Sequence, residues 1–228
     1  CSIGGDSTEV SMSSSKIMVS SSTTSMVISV AVVMLRHMSI ANTEVVKGVW
    51  RQHVGGLLSG RTIGVIGCGF VGKDLITLLQ PWNCKLLAHD ILNFQDFYYE
   101  NNVQPVSLEA LLSRSDVVTL HLPLTKSTQN ILCAKKLRLL KRNAILINFA
   151  RGGLIDEVEV KSMLKNSELA AAAFDVFETE PPVDVELLNL PNFFGTPHIG
   201  GSAIEAILEM GRSAIAGLEE NAVPKGEC

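Results

Sequence analysis

The sequence lacks any C-x-x-C pair: its five cysteines, Cys1, Cys68, Cys84, Cys133 and Cys228, are scattered and odd in number. No disulfide framework or thiolate zinc site can be read from such spacing. It suits a reducing, cytoplasmic compartment, with the three internal cysteines as small buried apolar residues. Nor do His37, His53, His89 and His121 stand at metal-ligand spacing to one another or to the cysteines, so no metal is expected. There is no basic tract and the net charge is −4, which argues against nucleic-acid binding. No charged leader runs into an apolar core with a small-residue cleavage site, so no signal peptide is expected. One uncharged run, 17–35, is long enough to raise a membrane span, but Ser20-Ser21-Ser22-Thr23-Thr24-Ser25 occupies its middle. The expectation is a polar turn followed by a buried helix over 26–38, and no membrane partner.

What is present centres on residues 61–90. Residues 62–66 are apolar and β-branched, a buried strand. Gly67-Cys68-Gly69-Phe70-Val71-Gly72 follows at once, a G-x-G-x-x-G, and Leu75, Ile76, Leu78 and Leu79 then recur at helical spacing until Pro81. Residues 85–88 form a second apolar strand that ends near Asp90. A dinucleotide uses each part. The first glycine permits a tight turn, the second lets backbone approach a pyrophosphate, and the third packs helix against strand. The helix N-terminus turns its positive end to the phosphates. Asp90 stands where a carboxylate accepts from adenosine ribose hydroxyls, and it would repel a 2′-phosphate, which points to NAD rather than NADP. The same glycines read as most of a P-loop, Gly67-x-x-x-x-Gly72-Lys73, but Asp74 replaces the Ser or Thr that holds magnesium there.

With 46% hydrophobic residues in 228, the chain has ample core for one large domain, or one domain and part of another. Before the nucleotide unit, residues 1–25 are Ser-rich, with Ile17-Met18-Val19 as a possible short strand, and a more polar helix is expected over 42–50. After Asp90, strands at 116–120, 144–148, 169–176 and 193–194 alternate with helices at 107–112, 135–140, 156–165 and 203–218; 94–100 is a short helix or turn. Such alternation predicts an α/β fold, a Rossmann doubly wound parallel sheet with helices on both faces. Ligands then bind beyond the carboxyl ends of the strands.

Three charged residues follow strand ends: Arg151 after 144–148, Glu180 after 169–176 and His198 after 193–194. Hydride leaves a carbinol carbon as a base takes the hydroxyl proton, a task for an imidazole near neutrality. A neighbouring carboxylate orients that ring, and a guanidinium grips a substrate carboxylate through two parallel bonds. Each residue alone also fits a structural role: a Pro-flanked loop histidine, a helix-end ion pair, a solvated acid. Their conjunction with a nucleotide strand is what singles them out. Cys68, beside a helix N-terminus, reads as a space-filler or an oxidisable thiol. His121 reads as structural or as pointing into the cleft. Trp50, Trp82 and the methionines of 26–38 read as core or dimer contact.

The stretches VIGCGFVGKDL, SDVVTLHLPLT, LINFARGGLIDE, AAAFDVFETEPP and TPHIGGSAIEA, in that order across 42–218, resemble the NAD-binding part of the D-isomer-specific 2-hydroxyacid dehydrogenases, most of all the phosphoglycerate dehydrogenase branch. The resemblance implies an NAD-dependent enzyme of a small 2-hydroxy or 2-keto acid, 3-phosphoglycerate of serine synthesis among them, working as a homodimer. It implies that Arg151 binds substrate, Glu180 is the acidic partner and His198 the acid/base. Gly67, Gly69, Phe70, Val71, Gly72, Asp90, Leu122, Pro123, Phe149, Ala150, Arg151, Asp175, His198, Gly200 and Gly201 then line the cofactor site, Asp175 near the nicotinamide carboxamide. Residues 1–25 resemble only the last pieces of the family's substrate domain, 26–201 the nucleotide domain, and 202–228 a helix returning toward the substrate domain. Ser22-Thr23-Thr24-Ser25 stands where the family has Ser-Val-Ala-Glu, and the resemblance implies an N-terminally incomplete chain. Two further readings stay open: an NAD(H)-sensing regulator like the corepressors of this fold, and an inactive fragment.

Overall fold

Strands that are apolar on both parities can be buried only in a sheet covered on both faces. The computed structural model, which describes residues 14–219, builds that sheet. Its elements in chain order are α1 (Ser14–Leu35), α2 (Met38–Val46), β1 (Thr62–Ile66), α3 (Phe70–Leu79), β2 (Lys85–His89), α4 (Gln95–Glu100), β3 (Val103–Pro105), α5 (Leu108–Arg114), β4 (Val117–Leu120), α6 (Ala134–Leu137), β5 (Ile145–Asn148), α7 (Glu157–Lys165), β6 (Ala171–Phe174), α8 (Val185–Leu188), β7 (Phe193–Gly195) and α9 (Ile204–Glu219). The seven strands run in the order β3-β2-β1-β4-β5-β6-β7, all pairs parallel. The direction of winding switches between β1 and β4, the place where open α/β sheets leave a crevice.

Successive strand residues serve opposite faces. Ile145 and Ile147 of β5 join Val27, Val30, Leu75 and Ile76 beneath α1 and α3, while Leu146 joins Leu111, Leu137, Val160 and Leu187 beneath α5 to α8. Helix ends follow local chemistry. Ser107 caps α5 by accepting from Ala110 N–H, and Asp156 and Asp184 do the same for α7 and α8.

The N-terminal expectations need correction. Residues 17–19 are helix, not strand, and the Ser/Thr run 20–25 is no turn but part of α1. The reason is tertiary: Ser20, Thr23 and Thr24 are buried against the rest of the chain, and the Thr23 and Thr24 hydroxyls have partners there and along the helix. The helix expected over 26–38 stops at Leu35, where His37 takes a left-handed φ of 54°. The helix expected over 42–50 ends at Val46. Gly48 follows at φ 76°, its N–H bonding Val45 O while Val49 N–H reaches Glu44 O, the Schellman arrangement that a glycine permits. Strand β3 and helix α8 were not expected; three- and four-residue elements carry little periodicity. The boundary expected at 25/26 falls inside α1, and the Ser-rich residues 1–13 lie outside the described residues.

Trp50 is not core: it is 85% exposed, and Trp82 is 37% exposed. Of the cysteines, Cys68 is fully buried but Cys84 and Cys133 are only half-buried. The apolar stripe of α1, Val27, Val30, Ala31 and Met34, is covered by its own chain rather than left for a second subunit. Among the described residues no single helix is long and apolar enough to cross a membrane; α1 and α2 pass that test together but are bent by 65° at their break.

Candidate active site

The parallel ladder puts the strand ends on one line. Ile66 pairs with His89 on one side and Leu120 on the other, Leu120 with Asn148, Asn148 with Phe174, and Phe174 with Gly195. The next residues of each strand therefore emerge together: Gly67, Asp90, Leu122, Pro123, Phe149 to Arg151, Asp175 and Thr196 to His198. Pairing register, not local sequence, gathers them.

The glycine turn has three different environments. A Cβ on Gly67, at φ 94°, would lie 2.6 Å from His121 O, and one on Gly72 would lie 2.0 Å from Gly67 O. A Cβ on Gly69 would meet nothing within 4 Å, and no side chain caps α3 there. Gly67 and Gly72 are thus needed by the protein itself, and Gly69 faces open space at a helix N-terminus, a place that a pyrophosphate fits. Asp90 Oδ2 accepts Cys68 N–H at 2.6 Å and Oδ1 accepts Leu92 N–H at 2.8 Å. Each oxygen keeps a lone pair for a ribose hydroxyl. Phe70 and Pro123 are exposed and Val71 and Leu122 half-buried at this mouth, whereas the side chains of Phe149 and Ala150 pack in the interior. The buried Cys68 thiol is pushed up to about 11, first by burial, which removes the oxidisable reading and leaves a space-filler.

Glu180, His198 and Arg151 are brought together. His198 Nδ1 stands 2.9 Å from Glu180 Oε2, while Oε1 accepts Phe177 N–H at 3.1 Å. An ionised carboxylate only accepts, so Nδ1 carries the hydrogen and Nε2 is left for proton exchange. The His198 hydrogen bond, followed by the Phe177 N–H and the nearby charge of Arg151, holds the Glu180 carboxyl below its ordinary range. Arg151 lies near enough for its charge to act on Glu180, and the loop that carries it packs closely on the next one: a Cβ on Gly152 would lie 1.8 Å from Phe177 O. Asn148, buried at the end of β5, shapes the same turn by accepting Ala150 N–H and donating to Arg151 O. Arg151 Nη1 itself donates to Ala150 O at 2.6 Å.

Asp175 has a second role that its motif did not reveal. Its buried carboxylate accepts from Thr196 Oγ1 at 2.6 Å, Ile199 N–H at 2.8 Å and Gly200 N–H at 2.7 Å. His198 N–H bonds Asp175 O, and His198 sits at φ 54°. A left-handed conformation in a non-glycine residue persists when its surroundings over-determine it, and these bonds do so. Asn148, Thr196 and the hydroxyls of α1 are the contributors that spacing alone missed. A polar Asn closing the apolar strand AILIN was the available signal. His121 bonds Thr119 Oγ1 through Nε2 at 3.1 Å, and burial pushes its pKa down to about 4.

The family profile "D-isomer specific 2-hydroxyacid dehydrogenase, NAD binding domain" matches residues 28–200. The chain is 39% identical over 174 residues to a D-3-phosphoglycerate dehydrogenase of Methanocaldococcus jannaschii, covering 75% of this chain and 33% of that protein. It is 42% identical over 153 residues to a glycerate dehydrogenase of Methylorubrum extorquens, covering 66% and 46%. A glyoxylate reductase structure from Paecilomyes thermophila superposes with a TM-score of 0.84 at 31% identity, over 92% of this chain and 64% of that one. The chain thus spans between a third and a half of these two curated relatives.

Two predictions follow from the turn and from His121. Gly72→Ala forces a methyl into backbone and should cost about 3 kcal/mol or more in urea unfolding. Gly69→Ala should leave stability within about 1 kcal/mol yet weaken NADH binding in a fluorescence titration; equal effects on both readouts would remove the division of roles. For His121, the unfolded imidazole (6.5) binds a proton before the folded one (about 4), so its contribution is complete above 6.5 and is lost as pH falls toward 4. Wild-type stability should drop between these values, and His121→Gln should drop less; parallel curves would show that the ring is not held neutral.

Proposed function

The chain belongs to the D-isomer specific 2-hydroxyacid dehydrogenase family and carries its NAD-binding domain, and from that premise we propose that its protein oxidises a small D-2-hydroxy acid or reduces the matching 2-keto acid. The observation that carries the reading is the His198–Glu180 pair at 2.9 Å, within the field of Arg151, on the strand-end line that includes the glycine turn. NAD, when bound, takes up or returns the hydride. The rest falls to the chain's own residues. The open backbone at Gly69 and the N-terminus of α3 hold the pyrophosphate, and Asp90 accepts from the ribose. Nε2 of His198 removes the hydroxyl proton in oxidation and returns it in reduction. The Glu180 carboxylate keeps the ring in that tautomer and stabilises the imidazolium that forms. Arg151 binds the substrate carboxylate in bidentate fashion, which fixes the carbinol carbon in place.

The relatives' names span phosphoglycerate, glycerate and glyoxylate chemistry, which supports the 2-hydroxy acid class and makes 3-phosphoglycerate one member of the panel to test. In the full-length protein, His198→Ala should lower kcat by about 10²–10⁴-fold on the best substrate. Arg151→Lys should act mainly through KM, because a point charge replaces a fork. NADH formation that survives both substitutions would refute these roles. NADH binding without turnover on any acid, with partner affinity that depends on NADH, would favour the regulator reading instead.

A homodimer is the partner we favour. Helix α2 buries no residue of its own, and Val45, Val46, Val49, Trp50, Val54 and Leu57 are exposed along it and the segment that follows. An apolar arm of this kind calls for a protein cover. Sedimentation should show a dimer that Trp50→Glu with Val46→Glu converts to monomer; a wild-type monomer at micromolar concentration would refute it. The thiols Cys68, Cys84 and Cys133 are free, which supports a reducing compartment such as the cytoplasm.

A further inference from the structure

We propose that α1 is a positioning strut across the candidate active site, its successive hydroxyls holding the loop that carries His198 on one side and the helix behind the glycine turn on the other. The proposal rests on the reading of His198 and the glycine turn given above. Gly200, two residues after His198, is fixed from both ends. Its N–H donates to Asp175 Oδ2 at 2.7 Å, and its carbonyl accepts from Ser22 Oγ at 2.8 Å and Thr23 Oγ1 at 3.2 Å. Ser22 Oγ also lies 3.4 Å from Ala203 N, where the chain enters α9. One residue further along α1, Thr24 Oγ1 lies 2.7 Å from Asp74 Oδ2 on α3.

Thr24 also approaches Ser20 O at 3.0 Å. It has one hydrogen to give, and the closer, charged acceptor on α3 takes it. Consecutive residues on a helix point about 100° apart, so three neighbours on a single turn can reach two different elements. Thr24 is fully buried and Thr23 nearly so. Buried hydroxyls are unfavourable unless bonded, and apolar side chains would pack α1 against the sheet equally well. Their presence here makes sense through what they hold: the His198–Gly201 turn and the helix whose N-terminus lies at Gly69. The bond to Thr24 also ties Asp74, in the second turn of α3, to α1, and so fixes α3 behind the glycine turn.

The test uses this 228-residue chain, with amide hydrogen exchange as the readout that needs no turnover. Ser22→Ala with Thr23→Val should speed exchange across residues 199–203 by about tenfold or more, the scale of a lost buried hydrogen bond, while residues 67–72 stay as in wild type. Thr24→Val should weaken NADH binding several-fold, because α3 loses its tie to α1, with Thr24→Ser restoring it. In the full-length protein the Ser22/Thr23 change should lower kcat more than it raises KM. If the double variant does not fold, Ser22→Ala alone, at a half-buried position, carries the exchange measurement. Unchanged exchange at 199–203 overturns the strut, whether or not the chain binds NADH. Absence of NADH binding in wild type, with exchange responding as described, overturns the dehydrogenase reading and leaves the strut standing.

Discussion

Parallel strand pairing in a single register is the constraint on which everything else depends. Six strands, β2, β1, β4, β5, β6 and β7, finish at paired positions, from His89 through Ile66, Leu120, Asn148 and Phe174 to Gly195. In a parallel sheet a slip by one residue would move every buried side chain to the other face. With Ile145 and Ile147 serving one core and Leu146 the other, such a slip is costly on both faces at once. The stability of the core thereby fixes the placement of residues that contribute nothing to it.

On that line the protein separates its acids by environment. Asp175 is buried and saturated by donors from the 196–200 turn; its work is to hold backbone. Glu180 stays accessible, held by one backbone N–H and free to face the imidazole with its other oxygen. His121 and His198 show the same division among imidazoles. Burial at the end of β4 pushes the pKa of one down, and the other lies half-open beside a carboxylate. Residue type alone does not distinguish the members of either pair. Solvent access and the direction of the nearest donors do.

Helix α1 joins the nucleotide side of the site to the proton-transfer side. Its apolar stripe explains why it packs on the sheet, and its hydroxyl run explains where it stops sliding. Directional bonds to Gly200 and Asp74 select one placement among those that apolar packing would tolerate.

Much was legible in the linear chain. The G-x-G-x-x-G between two apolar strands, with an acid after the second, carries its own geometry because backbone sterics and helix polarity act over a few residues. From β1 on, the order of the longer strands and helices was readable for the same reason, as was the position of Arg151, Glu180 and His198 after strand ends. Other features were not. Residues 20–25 look like a turn until their hydroxyls have partners from far along the chain. The hold of Asp175 on backbone is invisible until the 196–200 turn is folded onto it. Asn148 and Gly152 have no visible purpose until two loops meet. Sequence by itself therefore determined the nucleotide unit and the kinds of group available for chemistry, since those follow from short-range sterics and periodicity. Tertiary structure alone decided which acid faces the imidazole, whether His121 or His198 has the carboxylate partner and where α1 is pinned, because burial and hydrogen-bond direction arise only when distant segments are packed together.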